Sequence, residues 1–232
     1  MQNAPETESH CPANKAADIV GDSWVLQIVR AMTLGASRYS DLQQAVPRIS
    51  PSILSGRLKR LAEQGIIAKR ESTGSRPATY RLTASGRALE PIIKHLAIWG
   101  LHWAKRNIKE HNIDIGALMW DIHVTLRTEE LPDGETVFSI TLNDVERFQK
   151  WWIIAEHRSV DLCSENPGKD VDVYLNCSVK DLIAIWSCEL NIRDAMDQGC
   201  LRLDAPADLV QTVDHWFPVS PVAMQLMQEA MA

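Results

Sequence analysis

The chain has 232 residues, of which 45% are hydrophobic and 23% charged, with a formal net charge of −6. This is the composition of an ordinary soluble globular protein, long enough for one large or two small domains. No apolar run approaches the roughly 18 to 20 residues of a membrane span. The polar, acidic start MQNAPETESH does not read as a secretory signal, so a cytoplasmic protein is expected. The five cysteines, Cys11, Cys163, Cys177, Cys188 and Cys200, form no C-x-x-C pair, which argues against a disulfide framework or a clustered zinc site.

The charge is unevenly spread. Residues 1–110 carry 16 Lys+Arg against 9 Asp+Glu, a net of +7, and residues 111–232 carry 8 against 21, a net of −13. A basic module that contacts polyanions, joined to an acidic one that does not, fits this split. In the basic half, Asp22 or Ser23 caps a predicted helix with Val25, Ile28, Val29 and Met32 on its apolar face, stopped at Gly35. Ser40 and Gln43 fit an S-x-x-Q capping box for a short helix that turns Leu42, Ala45 and Val46 inward and ends at Pro47. Ser50 caps the next helix with Pro51 in its first position, and Gly65 provides a left-handed stop. In that helix Leu54, Leu58 and Leu61 form the buried stripe. The opposite face carries Ser52, Gly56 and Lys59, flanked by Ser55 and Arg60.

A face that is small near its start and rich in donors throughout suits a major groove. Gly56 costs about 1 kcal/mol relative to Ala, which makes sense where a close neighbour needs the space; a surface helix with a tolerated glycine is the alternative. Two predicted strands follow, IIAKRES and RPATYRLT, around a turn at Thr73-Gly74-Ser75. From Arg48 to Arg87 there are 9 Lys+Arg against Glu63 and Glu71, the stripe that phosphate neutralisation needs. Helix, helix, recognition helix and basic hairpin make a winged helix-turn-helix.

The stretches HCPANKAADIVGDSWVLQIVRAM, RYSDLQQAVPRISPSILSGRLKRLAEQGIIAKR and PATYRLTASGRAL closely resemble the HxlR-type winged-helix transcriptional regulators over about residues 10–104. The resemblance implies a DNA-binding homodimer on a palindromic operator, with its recognition helix at Ser50–Gln64 and its wing at about Ser72–Thr79. Arg57 and Lys59 are then expected at base edges or adjacent phosphates, and Ser50, Ser52 and Ser55 at the duplex near the helix start. Arg60 adds charge, and Arg76 reaches a minor groove or phosphate from the wing. For Arg57 a rim position packed beside Leu61 stays open. Ile92, Leu96, Trp99 and Trp103 line one stripe of the following helix, and Ile93, Ala97, Leu101 and Ala104 line another. So wide an apolar girth needs cover on two sides, which a twin helix would supply; packing against the second domain is the alternative. Some HxlR-type regulators use the Cys of the Cys-Pro start as a thiol switch. Cys11 matches that position, at a helix cap where a thiolate is favoured, although a structural thiol packed under the first helix is also consistent.

After the polar join KEHNIDIG the pattern alternates. IHVTLRT and TVFSITL read as a hairpin around Leu131–Gly134. WWIIAEH, SVDLC and DVDVYLNCS read as further strands, Val179–Leu190 and Ile192–Gly199 as helices, CLRLDA as a strand and Ala207–Trp216 as a last helix. The whole is α+β: a winged helix-turn-helix domain over 1–112 with a long dimerisation helix, then an α+β domain of about five strands over 113–232. The stretch VKDLIAIWSCELNIRDAMDQGCLRLDAPADLVQTV resembles the sterol carrier protein type two fold, which encloses an apolar tunnel. That resemblance covers about 118–218 and implies a small apolar ligand. It departs at Asp204-Ala205-Pro206, where the family commonly has a glycine. Trp151, Trp152, Trp186 and Trp216 are candidate ligand contacts, against a reading of each as ordinary core.

No catalytic motif, metal-ligand spacing or cofactor loop stands out, so neither an enzyme nor a cofactor or metal is expected. The functional expectation is a DNA-binding regulator whose acidic domain senses a small apolar ligand. The alternative is a lipid or small-molecule carrier whose basic domain only docks it.

Overall fold

The computed structural model describes residues 10–72, 77–103, 113–157 and 159–224. The chain divides into two compact units, Met1–His95 and Leu96–Ala232.

In the first unit, α1 (Pro12–Val20) starts with Cys11 as its N-cap and Pro12 in its first turn. In α2 (Ser23–Thr33), the Asp22 side chain accepts from Trp24 N at 3.0 Å, while Val25, Ile28, Val29 and Met32 are buried as the 3.6-residue period requires. The capping expected of Ser40 and Gln43 is not what starts α3 (Tyr39–Ala45). Asp41 does that, accepting from the Ser37 and Arg38 amides at 3.1 and 2.8 Å. A carboxylate is the stronger acceptor for amides at a helix start, and Gln43 instead donates to Ile49 O at 2.9 Å. In α4 (Pro51–Glu63) the Ser50 hydroxyl accepts from Ile53 N and Leu54, Leu58 and Leu61 are buried. Gly65, at φ +69°, takes the left-handed turn after it.

The antiparallel pair β1 (Ile67–Arg70) and β2 (Thr79–Leu82) runs from Ile67 opposite Leu82 to Arg70 opposite Thr79. The segment TYRLTASG has a local cause. Thr83 Oγ1 donates to Gly65 O at 2.6 Å and accepts from Gly86 N at 3.2 Å, capping α5 (Ala84–Arg87). A Cβ on Gly86 would stand 2.3 Å from Ile66 O, so no other residue fits there unshifted. The last helix to begin in this unit is α6 (Glu90–Trp103).

The second unit is a five-stranded mixed sheet with helices. Its strands are β3 (Glu135–Leu142), β4 (Lys150–Glu156), β5 (Ser159–Cys163), β6 (Val173–Cys177) and β7 (Leu201–Asp204), in the order β5-β4-β3-β6-β7. All neighbours are antiparallel except β3 and β6. The helices are α7 (Ile115–Val124), α8 (Val179–Trp186), α9 (Ile192–Asp197), α10 (Ala207–Gln211) and α11 (Val213–Trp216). Their apolar faces join one core with Phe138, Ile140 and Leu142 of β3 and Trp151, Ile153 and Ala155 of β4.

Three expectations are corrected here. IHVTLRT is not a strand and makes no hairpin with β3. Its start completes α7, capped by Asp114, with Leu118, Met119, Ile122 and Leu126 in the core at helical spacing, and a 3-10 turn follows at Thr128–Glu130. Its alternation was fortuitous, and the cap with the longer apolar run before it decided the element. The helix expected to reach Leu190 ends at Trp186, where Cys188 turns the chain at φ 60°. The last helix breaks in two at Thr212, whose hydroxyl donates back to Asp208 O.

Candidate nucleic-acid interface

In α4 the residues Ser52, Ser55, Gly56 and Lys59 follow at intervals of three and four and share one face, opposite the Leu54–Leu58–Leu61 stripe. All four are exposed. A Cβ built on Gly56 meets no heavy atom within 4 Å, so nothing in the protein's own packing requires a glycine there. Ser50 caps the helix, and its hydroxyl lies 3.2 Å from that of Ser52. Tyr39 Oη donates to Pro51 O at 2.9 Å, tying the start of α3 to the start of α4.

The cations of α4 are not equivalent. The Lys59 side chain is 80% exposed, and its Nζ stands 3.9 Å from Glu63 one turn on, a contact of little energy in water. Arg57 forms an ion pair with Asp22 Oδ2, and both side chains are largely covered. Its Nε is buried without a hydrogen-bond partner. Arg60 donates to Asp18 O at 3.4 Å. Two of the three therefore reach back to the junction of α1 and α2. Sequence reasoning missed these contacts because Asp22 and Arg57 lie 35 positions apart in no local pattern. On β1, the hydrogen bond from Lys69 to Glu71, 3.0 Å away, holds the ammonium above its ordinary pKa. Arg76 and the turn Thr73-Gly74-Ser75 lie outside the described residues.

Cys11 is exposed at the cap of α1. Along α6, Ile92, Leu96, Trp99 and Trp103 are all exposed, the last two by 59% and 71%. Ile93 and Ala97 of the neighbouring stripe are half-buried, and the Leu101 side chain and Ala104 lie outside the described residues.

In the second unit the four candidate tryptophans do not gather around one space. Trp216 is fully buried against Phe138 and donates to Leu209 O at 2.8 Å. Trp151 is buried in the same core and donates to Phe148 O at 2.8 Å. Trp186 donates to Thr125 Oγ1 at 3.1 Å. Trp152 is half-buried on the other face of β4, opposite Ser139 and Cys163 on the neighbouring strands. A cavity of about 510 Å³ is lined by Thr128, Glu129, Leu131, Pro132, Asp133, Gly134, Ala155 and His157, and by none of these tryptophans. Burial pushes the Cys177 thiol up to about 12, with Asp181 and Asp144 adding to the effect. Burial also raises Cys163 and Cys188. Among the described residues no group of three or more His, Cys, Asp or Glu is placed to hold a metal, and no helix is long and apolar enough to cross a membrane.

Residues 19–108 match the model of the HxlR-like helix-turn-helix family. The HTH-type transcriptional regulator YvaP of Bacillus subtilis (strain 168) is 38% identical over 96 residues, which are 40% of this chain and 88% of that protein. YdeP of the same organism is 30% identical over 97 residues, 41% of this chain and 76% of that one. Among solved structures, that of PA1607, a putative transcription factor, aligns at 31% identity over 41% of this chain and 67% of the other, with a TM-score of 0.39.

Proposed function

The chain belongs to the HxlR-like helix-turn-helix family and is a helix-turn-helix transcriptional regulator, and from that premise we propose that α4 enters the major groove of a palindromic operator, one copy from each chain of a homodimer. The observation that carries this reading is the outward face of α4: Ser52, Ser55, Gly56 and Lys59 together, exposed, opposite a fully buried leucine stripe. Ser50, Ser52 and Ser55 meet the duplex near the helix start, Lys59 meets a base edge or phosphate, Arg60 and, from the wing, Arg76 supply positive charge, and Arg57 borders this face while paired to Asp22. The exposed stripe Ile92–Leu96–Trp99–Trp103 supports the dimer, since four large apolar side chains in a row are costly to leave in water. Two-fold symmetry then sets half-sites about 10 bp apart or a multiple of that.

The second unit is the sensor in this reading. The stretch 118–218, whose sequence resembles the sterol carrier protein type two fold, would then take a small apolar ligand, with Trp151, Trp152, Trp186 and Trp216 as the aromatic contacts. Seating a ligand on Trp151 or Trp216 requires the core to open, since both are buried with their indole N–H groups satisfied; Trp152 and Trp186 are the more accessible pair. Cys11, exposed at the α1 cap, is the candidate thiol switch. Iodoacetamide kinetics and DNA binding with and without diamide test that role, and a slow thiol with oxidant-insensitive binding removes it.

The deciding experiment enriches a duplex from a randomised pool with the full-length protein. It then compares Kd on that duplex and on a mixed-sequence duplex of the same length across a salt series. A regulator prefers the enriched duplex by about a thousandfold or more. Equal, weak binding to both is the result expected of a carrier with a docking module.

A further inference from the structure

Resting on the reading of α4 above, we infer that Asp22 is a positioning residue for DNA recognition: it holds Arg57 off the duplex, so that α4 reads sequence with fewer phosphate contacts. One carboxylate serves two structures. Asp22 Oδ1 accepts from Trp24 N and starts α2, while Oδ2 pairs with the Arg57 guanidinium of α4. The junction is fixed from the α1 side too, since Gly21 N donates to Ala17 O at 2.7 Å and a Cβ on Gly21 would stand 2.4 Å from that oxygen. Arg60, one turn from Arg57, reaches Asp18 O at the end of α1.

The arrangement carries a cost that shape alone does not explain. Arg57 Nε is buried with no partner, and an unmet buried donor is destabilising. What the pair achieves is orientation. Arg57 neighbours Gly56, in the middle of the exposed face, and its stem is long enough to swing toward a phosphate once released. A free arginine there would add affinity for any sequence, because counterion release is blind to bases. Tied to Asp22, it sets the rotation of α4 about its own axis and leaves Ser52, Ser55, Gly56 and Lys59 to face the bases.

The test uses full-length protein, a duplex enriched from a randomised pool, and a mixed-sequence duplex of equal length. Asp22→Asn keeps the cap, because Asn starts helices as well as Asp does, but it removes the charge that holds Arg57. Its plot of log K against log salt steepens by about 0.9 on the mixed duplex, the increment for one phosphate. Mixed-duplex affinity rises about fivefold and the preference for the enriched duplex falls by a similar factor. Arg57→Met, which keeps the stem, leaves the salt slope unchanged while lowering that preference. A slope flattened by about 0.9 in Arg57→Met would show Arg57 on a phosphate in the native complex and overturn the inference. Unaltered slope and preference in Asp22→Asn overturn it equally. A native protein that enriches no duplex overturns the reading of α4 and the inference together, whereas failure in the variants alone leaves α4 as the reader.

Discussion

The two units use arginine in contrasting ways. In the second unit Arg127 donates through Nη2 to Asp214 O and Phe217 O, at 2.6 and 2.9 Å, and Arg193 pairs with Asp214 and reaches Gln211 O. These guanidinium groups satisfy carbonyls at the ends of α10 and α11 that have no partner within their helices. In the first unit Arg57 pairs back onto Asp22 and Arg60, itself exposed, reaches Asp18 O, from a helix whose opposite face is bare, and a lysine is left outside. Positive charge closes the acidic unit onto its own core. In the basic unit the fold restrains two of three cations and presents the third.

The sharpest way to break this comparison is to damage one unit and look at the other. Trp216→Ala empties the largest fully buried side chain of the second core and should cost about 3–5 kcal/mol. Denaturant unfolding should show that loss, while DNA affinity at low concentration stays within about twofold, because the stretch 111–232, with its net of −13, is repelled by phosphate. A parallel loss of DNA binding would make the two units one thermodynamic body.

Cys177 gives a chemical handle on the second core alone. Its thiol is neutral in the fold up to about pH 12 and ionises near 9 once unfolded. Its contribution to stability is therefore complete below about 9 and is lost as pH rises through 12, by up to about 4 kcal/mol. Cys177→Val should remove that part of the alkaline loss, read as the difference in unfolding midpoint between pH 8 and 11. An unchanged difference would mean that the thiol is already open to water.

Gly56→Ala sharpens the contrast within the first unit. Since a Cβ there meets nothing, the substitution should stabilise α4 by about 1 kcal/mol and raise Tm by several degrees. Operator affinity should fall at the same time, because the methyl would stand on the face proposed to meet the duplex. A variant both more stable and equally tight would make Gly56 a tolerated surface glycine. Lys59→Ala carries the smallest effect: the salt slope flattens by about one unit, with binding weakened on all sequences where Lys59 meets a phosphate and preference relaxed at one base position where it meets a base edge.

The first unit was legible because its signals are local. Asp22, Ser50, Pro51 and Gly65 mark helix ends by their own chemistry, and the leucines of α4 repeat at the helical period. The S-x-x-Q spacing at Ser40 points to a capping box for α3, but a carboxylate one residue on takes the amides instead. In the second unit the strands from β3 to β7 could be read from alternation, whereas Ile122–Thr128 alternates too, yet its start completes a helix and its end opens a 3-10 turn. The pair of Asp22 with Arg57, the spread of the tryptophans and the neighbours of β3 arise from packing between distant segments. No periodicity within one segment encodes them.

The parallel contact of β3 with β6 has a consequence in time. Phe138 pairs with Val173, so the central strand waits for about 35 residues of intervening chain, including the β4–β5 hairpin, before its second edge is filled. Loop closure of this kind slows folding relative to helices built from neighbouring residues. During synthesis, at roughly 5–20 residues per second, the helices of the first unit leave the ribosome several seconds before Cys177 does. The basic unit can thus complete its fold while the acidic sheet still lacks a strand. A nascent chain from which the first unit has just emerged would already hold α4 with its outward face complete, ahead of the unit proposed to govern it.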